Sequence, residues 1–347
     1  MARTSPPPGH RRRGWRGAVA VAVVGLVLAA GCSEADDGPG AGAARGGQGE
    51  QAEPVGQLGQ NGQSERAERA GQPGQSDALG MTVESGIEYG KGEVRAPAAG
   101  DVPLLLDLYR PAGDPVGGYP VVVLIHGGGF AGQSREDDGV VAIARGLAER
   151  GIAAASIDYR LIGQRPVPSA QVDALVEALP TSDMSTGMAV AVDDTLTAVG
   201  YLTDHADDLG IDPDRLGLVG SSAGAMTADN VGYVLDDHGI AGPHVTFVGS
   251  LWGGIYVPPG VDQVGAGEPA LFAVHGDADP AVPVRRSDDL VARARHVGLD
   301  VEYHRIAGAG HGYSTARFFT QPVEGTQTAF ARLLAFAESA LRSSDSS

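Results

Sequence analysis

The chain has 347 residues, 42% of them hydrophobic and 20% charged, a balance ordinary for a globular protein. Its 43 acidic side chains outnumber 25 basic ones, and a formal net charge of −18 argues against nucleic acid or anionic lipid headgroups as electrostatic partners. A single cysteine excludes an intramolecular disulfide, so stability must come from the packed core.

Residues 1–31 carry five arginines (Arg3, Arg11, Arg12, Arg13 and Arg16) and no acid, ahead of the apolar run AVAVAVVGLVLAAG. A basic start, a short apolar stretch and small residues at its end describe an export signal. The run, residues 18–31, falls short of the roughly 20 residues that span a bilayer as a helix. Cys32 follows at once, and LAAGC resembles the lipobox of bacterial lipoproteins. In that family the chain is cut before the cysteine, whose sulfur then carries a lipid. The resemblance implies an exported protein anchored to the cell membrane through Cys32 and facing outside; free secretion is the alternative. The paired arginines also resemble a twin-arginine signal, leaving the export route open.

From residue 32 to about 80 the sequence is Gly, Gln, Glu, Ala and Ser, with phrases such as GQLGQNGQSERAERAGQPGQ. Such a segment buries too little apolar surface to offset its ordering entropy, so a disordered tether is expected. A flexible chain of this length reaches roughly 35–40 Å.

Residues 81–347 are expected to form one catalytic domain. Its short apolar runs, VPLLLDLYR, PVVVLIHG, IAAASIDYR, RLGLVG, HVTFVGSLWG, ALFAVHG and VEYHRI, read as strands. Helical patterns lie between them at 138–150, 188–208, 223–238, 286–298 and 326–342. Strands alternating with helices predict an α/β fold, a mostly parallel central sheet with helices on both faces. Ligands bind such sheets beyond the carboxyl ends of the strands, which directs attention to the loops there.

GSSAG, residues 220–224, falls between a predicted strand and a predicted helix, the setting in which G-x-S-x-G makes a nucleophile elbow. G-x-S also occurs elsewhere, at Gly62, Gly74 and Gly132 among other places, but none of these is closed by a second glycine. Ser221 is adjacent, yet the five-residue frame centres on Ser222. A nucleophilic serine needs a base and an acid to orient it. Among nine histidines His311 stands apart, in the small-residue loop GAGHGY directly after the last predicted strand. For the acid, ALFAVHGDADPAVPV ends a strand and offers Asp277 and Asp279. Three glycines ending the strand VVVLIHGGGF leave backbone N–H groups free to approach an oxyanion.

HGGGF at 126–130, DYRL at 158–161, GSSAG at 220–224, HGDADPAVP at 275–283 and GAGHG at 308–312 resemble the α/β-hydrolase carboxylesterases of the hormone-sensitive-lipase-like group and its relatives. These motifs cover essentially all of residues 100–315. The resemblance implies an α/β-hydrolase fold and a Ser222–His311–Asp279 triad, with Asp277 as a turn residue. It also implies an oxyanion hole from the N–H groups of Gly128, Gly129 and Ala223, with His126 supporting the loop. The expected activity is hydrolysis of a small carboxylic ester through an acyl-enzyme, with no metal or organic cofactor. A serine peptidase of prolyl-oligopeptidase type and a non-catalytic binding member of the fold are the alternatives. Ser221 and Ala225 replace the group's usual Asp and Gly beside the nucleophile, and IGQRP replaces its A-P-E after DYRL. The 161–187 connection is expected to overhang the pocket, and Trp252 is expected either to line it or to belong to the core.

Overall fold

The computed structural model describes residues 75–76, 80–313 and 315–342. The expected export signal, Cys32 and nearly all of the expected tether lie outside these residues. In chain order the strands are β1 (Gln75–Ser76), β2 (Met81–Val94), β3 (Gly100–Pro111), β4 (Tyr119–Ile125), β5 (Ala153–Ile157), β6 (Ile211–Ser221), β7 (Phe247–Leu251), β8 (Ala270–Gly276), β9 (Val301–Ile306), β10 (Pro322–Glu324) and β11 (Gln327–Thr328). The helices are α1 (Asp138–Ala148), α2 (Asp173–Ala178), α3 (Asp183–Asp204), α4 (Ala206–Leu209), α5 (Ala223–Tyr233), α6 (Arg285–His296), α7 (Thr315–Thr320) and α8 (Ala329–Arg342).

Nine strands form one sheet in the order β1-β2-β3-β5-β4-β6-β7-β8-β9, and β10 and β11 make a separate small hairpin. The first three strands run antiparallel to their neighbours, while β5, β4, β6, β7, β8 and β9 are parallel. Both faces of the parallel part are covered, which is why its strands read as unbroken apolar runs rather than alternating ones. In β4 Val121, Val123 and Ile125 join a core with Ala189 and Val192 of α3, Val231 of α5 and Leu290 of α6. Val122 and Leu124, pointing the other way as a strand's period of two requires, pack with Leu147 of α1 and Leu333 and Leu334 of α8. All five β4 side chains are at most 1% exposed, and burial of each contributes on the order of 1.5–3 kcal/mol.

All seven expected strands are present, as are all five expected helices, with ends displaced by a few residues. The long strand β2 is an addition. Its sequence MTVESGIEYGKGEV is broken by Gly86, Gly90 and Gly92 and by charges, which read locally as turns. It forms because β3 offers a partner: the two pair from Met81–Pro111 to Val94–Gly100, with bulges near Gly86 and Gly90. Gly86 N–H donates to the buried Asp107 carboxylate at 2.8 Å, so the irregular position acquires a side-chain partner in place of the ladder. The parallel strands bring the ends of β4, β5, β6, β8 and β9 to one edge, where the five sequence motifs lie.

Candidate active site

β6 ends at Ser221 and α5 begins at Ala223, so the chain turns at Ser222 alone. Its backbone takes φ 53° and ψ −115°, a strained region for a residue with a side chain. Two bonds hold it there: Ser222 N–H donates to the Leu251 carbonyl at 2.9 Å, and Met226 N–H donates to the Ser222 carbonyl at 3.0 Å. A Cβ on Gly220 would fall 2.0 Å from the Gly224 oxygen, and one on Gly224 would fall 2.1 Å from the Ile125 oxygen. Both obstacles are backbone, so the turn tolerates only glycine at these two places.

His311 opens a single helical turn after β9, His311–Tyr313. Its Nε2 lies 2.9 Å from Ser222 Oγ and its Nδ1 2.6 Å from Asp279 Oδ2. The structure thus brings together three residues separated by 57 and 32 positions in the chain. The Asp279 side chain is fully buried, whereas that of His311 is 28% exposed and so reachable from solvent. The loops that carry Asp279 and His311 are joined by main-chain bonds, Asp277 N–H to the Ile306 carbonyl and Ala278 N–H to the Ala309 carbonyl, each at 3.0 Å. Asp277 is not bonded to the imidazole: its Oδ1 accepts from Gly308 N–H at 2.7 Å and pins the loop that carries His311.

The glycine loop after β4 lies against the elbow. A Cβ on Gly127 would meet the Ser221 carbonyl oxygen at 2.9 Å, and Gly128 and Gly129 take φ 88° and 61°. Ala223 is the first residue of α5, where an N–H has no intrahelical acceptor. The orientation of Gly128 N–H follows from the Gly127 carbonyl, because both belong to one planar peptide. That carbonyl accepts from Tyr159 Oη–H at 2.9 Å and from His126 Nδ1–H at 3.0 Å. The His126 and Tyr159 rings stack with centroids 4.2 Å apart, and burial pushes the His126 imidazole below the ordinary histidine range, toward the neutral form.

Each charged or aromatic residue of DYRL holds a different piece of the surroundings. Asp158 accepts from Arg135 N–H at 2.8 Å and pairs with its guanidinium, which also reaches Asp107 at 2.9 Å. Tyr159 fixes the glycine loop. Arg160, 4% exposed, bonds Asp193 and Asp194 of α3 and the carbonyls of Glu93 and Val167. Ser169 and Gln171 also donate to Asp193, which ties the 161–187 connection down at its middle. Its start is tied too, by Ile162 N–H to the Phe130 carbonyl at 2.8 Å, beside the glycine loop. Trp252 is 8% exposed and meets Phe318 edge-on at 5.8 Å, which places it in the core.

Sequence reasoning passed over Tyr159 and His275 as individual residues. His275 is wholly buried and contacts the same Asp279 oxygen as His311, at 3.1 Å. The available signal was its place at the head of the H-G-x-x-D run.

Comparison with known proteins follows the same lines. The BD-FAE family model matches residues 106–179 and 182–249, taking in the glycine loop, DYRL and the elbow. Carboxylesterase NlhH of Mycobacterium tuberculosis is 29% identical over 128 residues, 37% of this chain and 33% of the relative. Esterase LipC of the same organism is 24% identical over 256 residues, 62% of this chain and 58% of the relative. The chain therefore spans about a third to just over half the length of these curated relatives. Among solved structures, Thermogutta terrifontis esterase 2 phosphorylated by paraoxon superposes with a TM-score of 0.56 at 22% identity, over 75% of this chain and 94% of that one. That last likeness is one of fold.

Proposed function

We propose that this chain, an α/β-hydrolase related to the carboxylesterases of the hormone-sensitive-lipase-like group, hydrolyses small carboxylic esters with Ser222 as nucleophile. The observation that carries this reading is the continuous hydrogen-bonded line Ser222–His311–Asp279, with distances of 2.9 and 2.6 Å. Ser222 Oγ–H donates to His311 Nε2, and His311 Nδ1–H donates to Asp279, so the imidazole is held in the tautomer that can take the serine proton. Oγ attacks the ester carbonyl carbon while His311 accepts that proton. The carbonyl oxygen becomes an oxyanion, for which the N–H groups of Gly128, Gly129 and Ala223 are the donors. Collapse of the tetrahedral species breaks the bond to the alcohol oxygen, which leaves with the proton from His311. Water, deprotonated by the same imidazole, then releases the acid from Ser222.

Ser222→Ala in the full chain is expected to abolish hydrolysis of a nitrophenyl acetate while circular dichroism and thermal unfolding stay as in the wild type. Hydrolysis surviving in that folded variant would overturn the assignment. Turnover of an ester well above that of a matched peptide amide is expected, and the reverse order would favour a peptidase. We also infer export with a lipid anchor at Cys32, on the LAAGC resemblance. Cys32→Ser should then abolish incorporation of a labelled fatty acid into the protein, and label retained in that variant would refute the anchor.

A further inference from the structure

Asp279 carries the charge that steadies the base, and no lysine or arginine forms an ion pair with it among the described residues; its ionic partners are two histidines. A fully buried carboxylate needs every lone pair met, because water is not there to do it. Oδ1 accepts from the N–H groups of Ala281 at 2.8 Å and Val282 at 2.9 Å. Oδ2 accepts from His311 Nδ1 at 2.6 Å, and its second donor is His275 Nε2 at 3.1 Å.

The hydrogen on His275 can be placed from its neighbours. Nε2 also lies 2.9 Å from the Val282 carbonyl, a group that only accepts, so Nε2 bears the hydrogen and donates to both. Nδ1 lies 2.7 Å from Ser287 Oγ of α6, whose one hydrogen has two acceptors in reach, Nδ1 and the Gly253 carbonyl at 3.2 Å; with the ring hydrogen on Nε2, the hydroxyl donates to the nearer Nδ1. Burial pushes His275 below the ordinary histidine range, in keeping with a neutral ring carrying one hydrogen. A closed circuit results, in which Val282 N–H holds Oδ1 of Asp279 and Val282 C=O holds the ring that holds Oδ2. Of the charged groups nearby, Asp277 is engaged with Gly308 N–H, and Arg286 of α6 lies over the Tyr256 ring at 4.2 Å.

We propose that His275 is a positioning residue of the triad: it shares one oxygen of Asp279 with His311, restrains that carboxylate and takes up part of its charge. This rests on Ser222, His311 and Asp279 being the catalytic triad. Two backbone donors fix Oδ1, so Oδ2 without His275 is left with His311 as its one hydrogen-bond donor. That oxygen would also turn its full charge on His311 and hold the protonated imidazole more firmly before reaction. Weaker catalysis and an acidic limb displaced to higher pH follow together, and a role in packing alone would not move the limb.

The test compares His275→Asn with His275→Gln in the full chain. Glutamine sets an amide N–H near the place of Nε2, facing Asp279; asparagine sets one near Nδ1, facing Ser287. The Asn variant is expected to lose about tenfold in kcat with KM within about twofold, and its acidic limb in kcat/KM should rise by about half a pH unit. The Gln variant should stay within about threefold of the wild type, with its limb unmoved. Equal losses in the two variants, or an unmoved limb in Asn, would overturn the proposal. Should neither variant fold, long-range ¹H–¹⁵N spectra of the histidine-labelled wild type decide it. The Nε2–H tautomer of His275, unchanged from pH 5 to 8, is expected, and an Nδ1–H tautomer refutes the placement. Labelling of the wild type by a fluorophosphonate, lost in Ser222→Ala, tests the triad separately. Without that labelling the triad reading itself fails, and the role of His275 falls with it.

Discussion

Tyr159→Phe isolates one hydroxyl at the point where fold and chemistry meet. The phenylalanine ring keeps the stack on His126, 4.2 Å between centroids, and the edge contact with Phe130 at 6.3 Å. What disappears is the hydrogen shared between the Gly127 carbonyl at 2.9 Å and the His126 carbonyl at 3.1 Å. The Gly127 oxygen keeps its bond from His126 Nδ1, so the deficit falls mainly on the His126 carbonyl. Losing one buried donor of this kind costs about 1–2 kcal/mol of stability. In a domain of this size that lowers Tm by ~2–6 °C. Deleting an oxyanion donor outright costs on the order of 10²–10³ in kcat. Gly128 N–H, one of the oxyanion donors proposed above, remains and loses only one of two anchors on its peptide, so on that proposal kcat should fall about tenfold, with KM within about twofold. Initial rates on a nitrophenyl ester series, alongside scanning calorimetry, measure both. A lowered Tm with an unaltered kcat would refute the reasoning, since the hydroxyl would then support the loop without aiming it.

Three further perturbations separate stability from chemistry. Arg160→Leu leaves Asp193 and Asp194, 2% and 1% exposed, without their cation, and should cost on the order of 3–5 kcal/mol in urea unfolding; a loss below about 1 kcal/mol would show that the network is not a buried ion cluster. Gly224→Ala sets a Cβ about 2 Å from the Ile125 oxygen and forces helix and strand apart, so it should lower stability by about 1–3 kcal/mol and remove most activity; wild-type kcat in that variant would refute the tight elbow. Asp229, fully buried on α5, is pushed by burial up to about 7. Its folded form therefore holds a proton that the unfolded chain has released above about pH 4, so this group's stabilisation declines as pH rises from about 4 to 7. Between pH 5 and 8 the decline amounts to about 2–3 kcal/mol, and Asp229→Asn should flatten the stability–pH curve by that amount. Parallel curves for variant and wild type would refute the shifted carboxyl.

How far the site could be read in advance depended on whether a signal was local. The elbow is local: glycine, serine and glycine within five residues, between a strand pattern and a helix pattern, give a turn of one residue because backbone crowding at Gly220 and Gly224 permits little else. The loops of Asp279 and His311 are nearly so, since each follows an apolar run at the end of a parallel strand. Asp277 and Asp279, two positions apart, could be told apart only through resemblance to relatives. The tertiary structure separates them by partner, Gly308 for one and His311 for the other.

Composition and periodicity by themselves determined the α/β class, the faces of the buried strands and the strand ends at which reactive groups would gather. Burial on both sides demands apolar residues in succession, and that demand is written in VVVLI and LGLV. Only the tertiary structure decided that β2 is a strand, because its hydrogen bonds are supplied by β3 and not by its own propensity. It likewise decided that Tyr159 reaches back 32 residues to Gly127 and that His275 meets the oxygen held by His311. In a sequence a tyrosine and a histidine in apolar company read as core. Which acceptor a buried donor finds is settled by the segments that folding brings against it, and those lie far away in the chain.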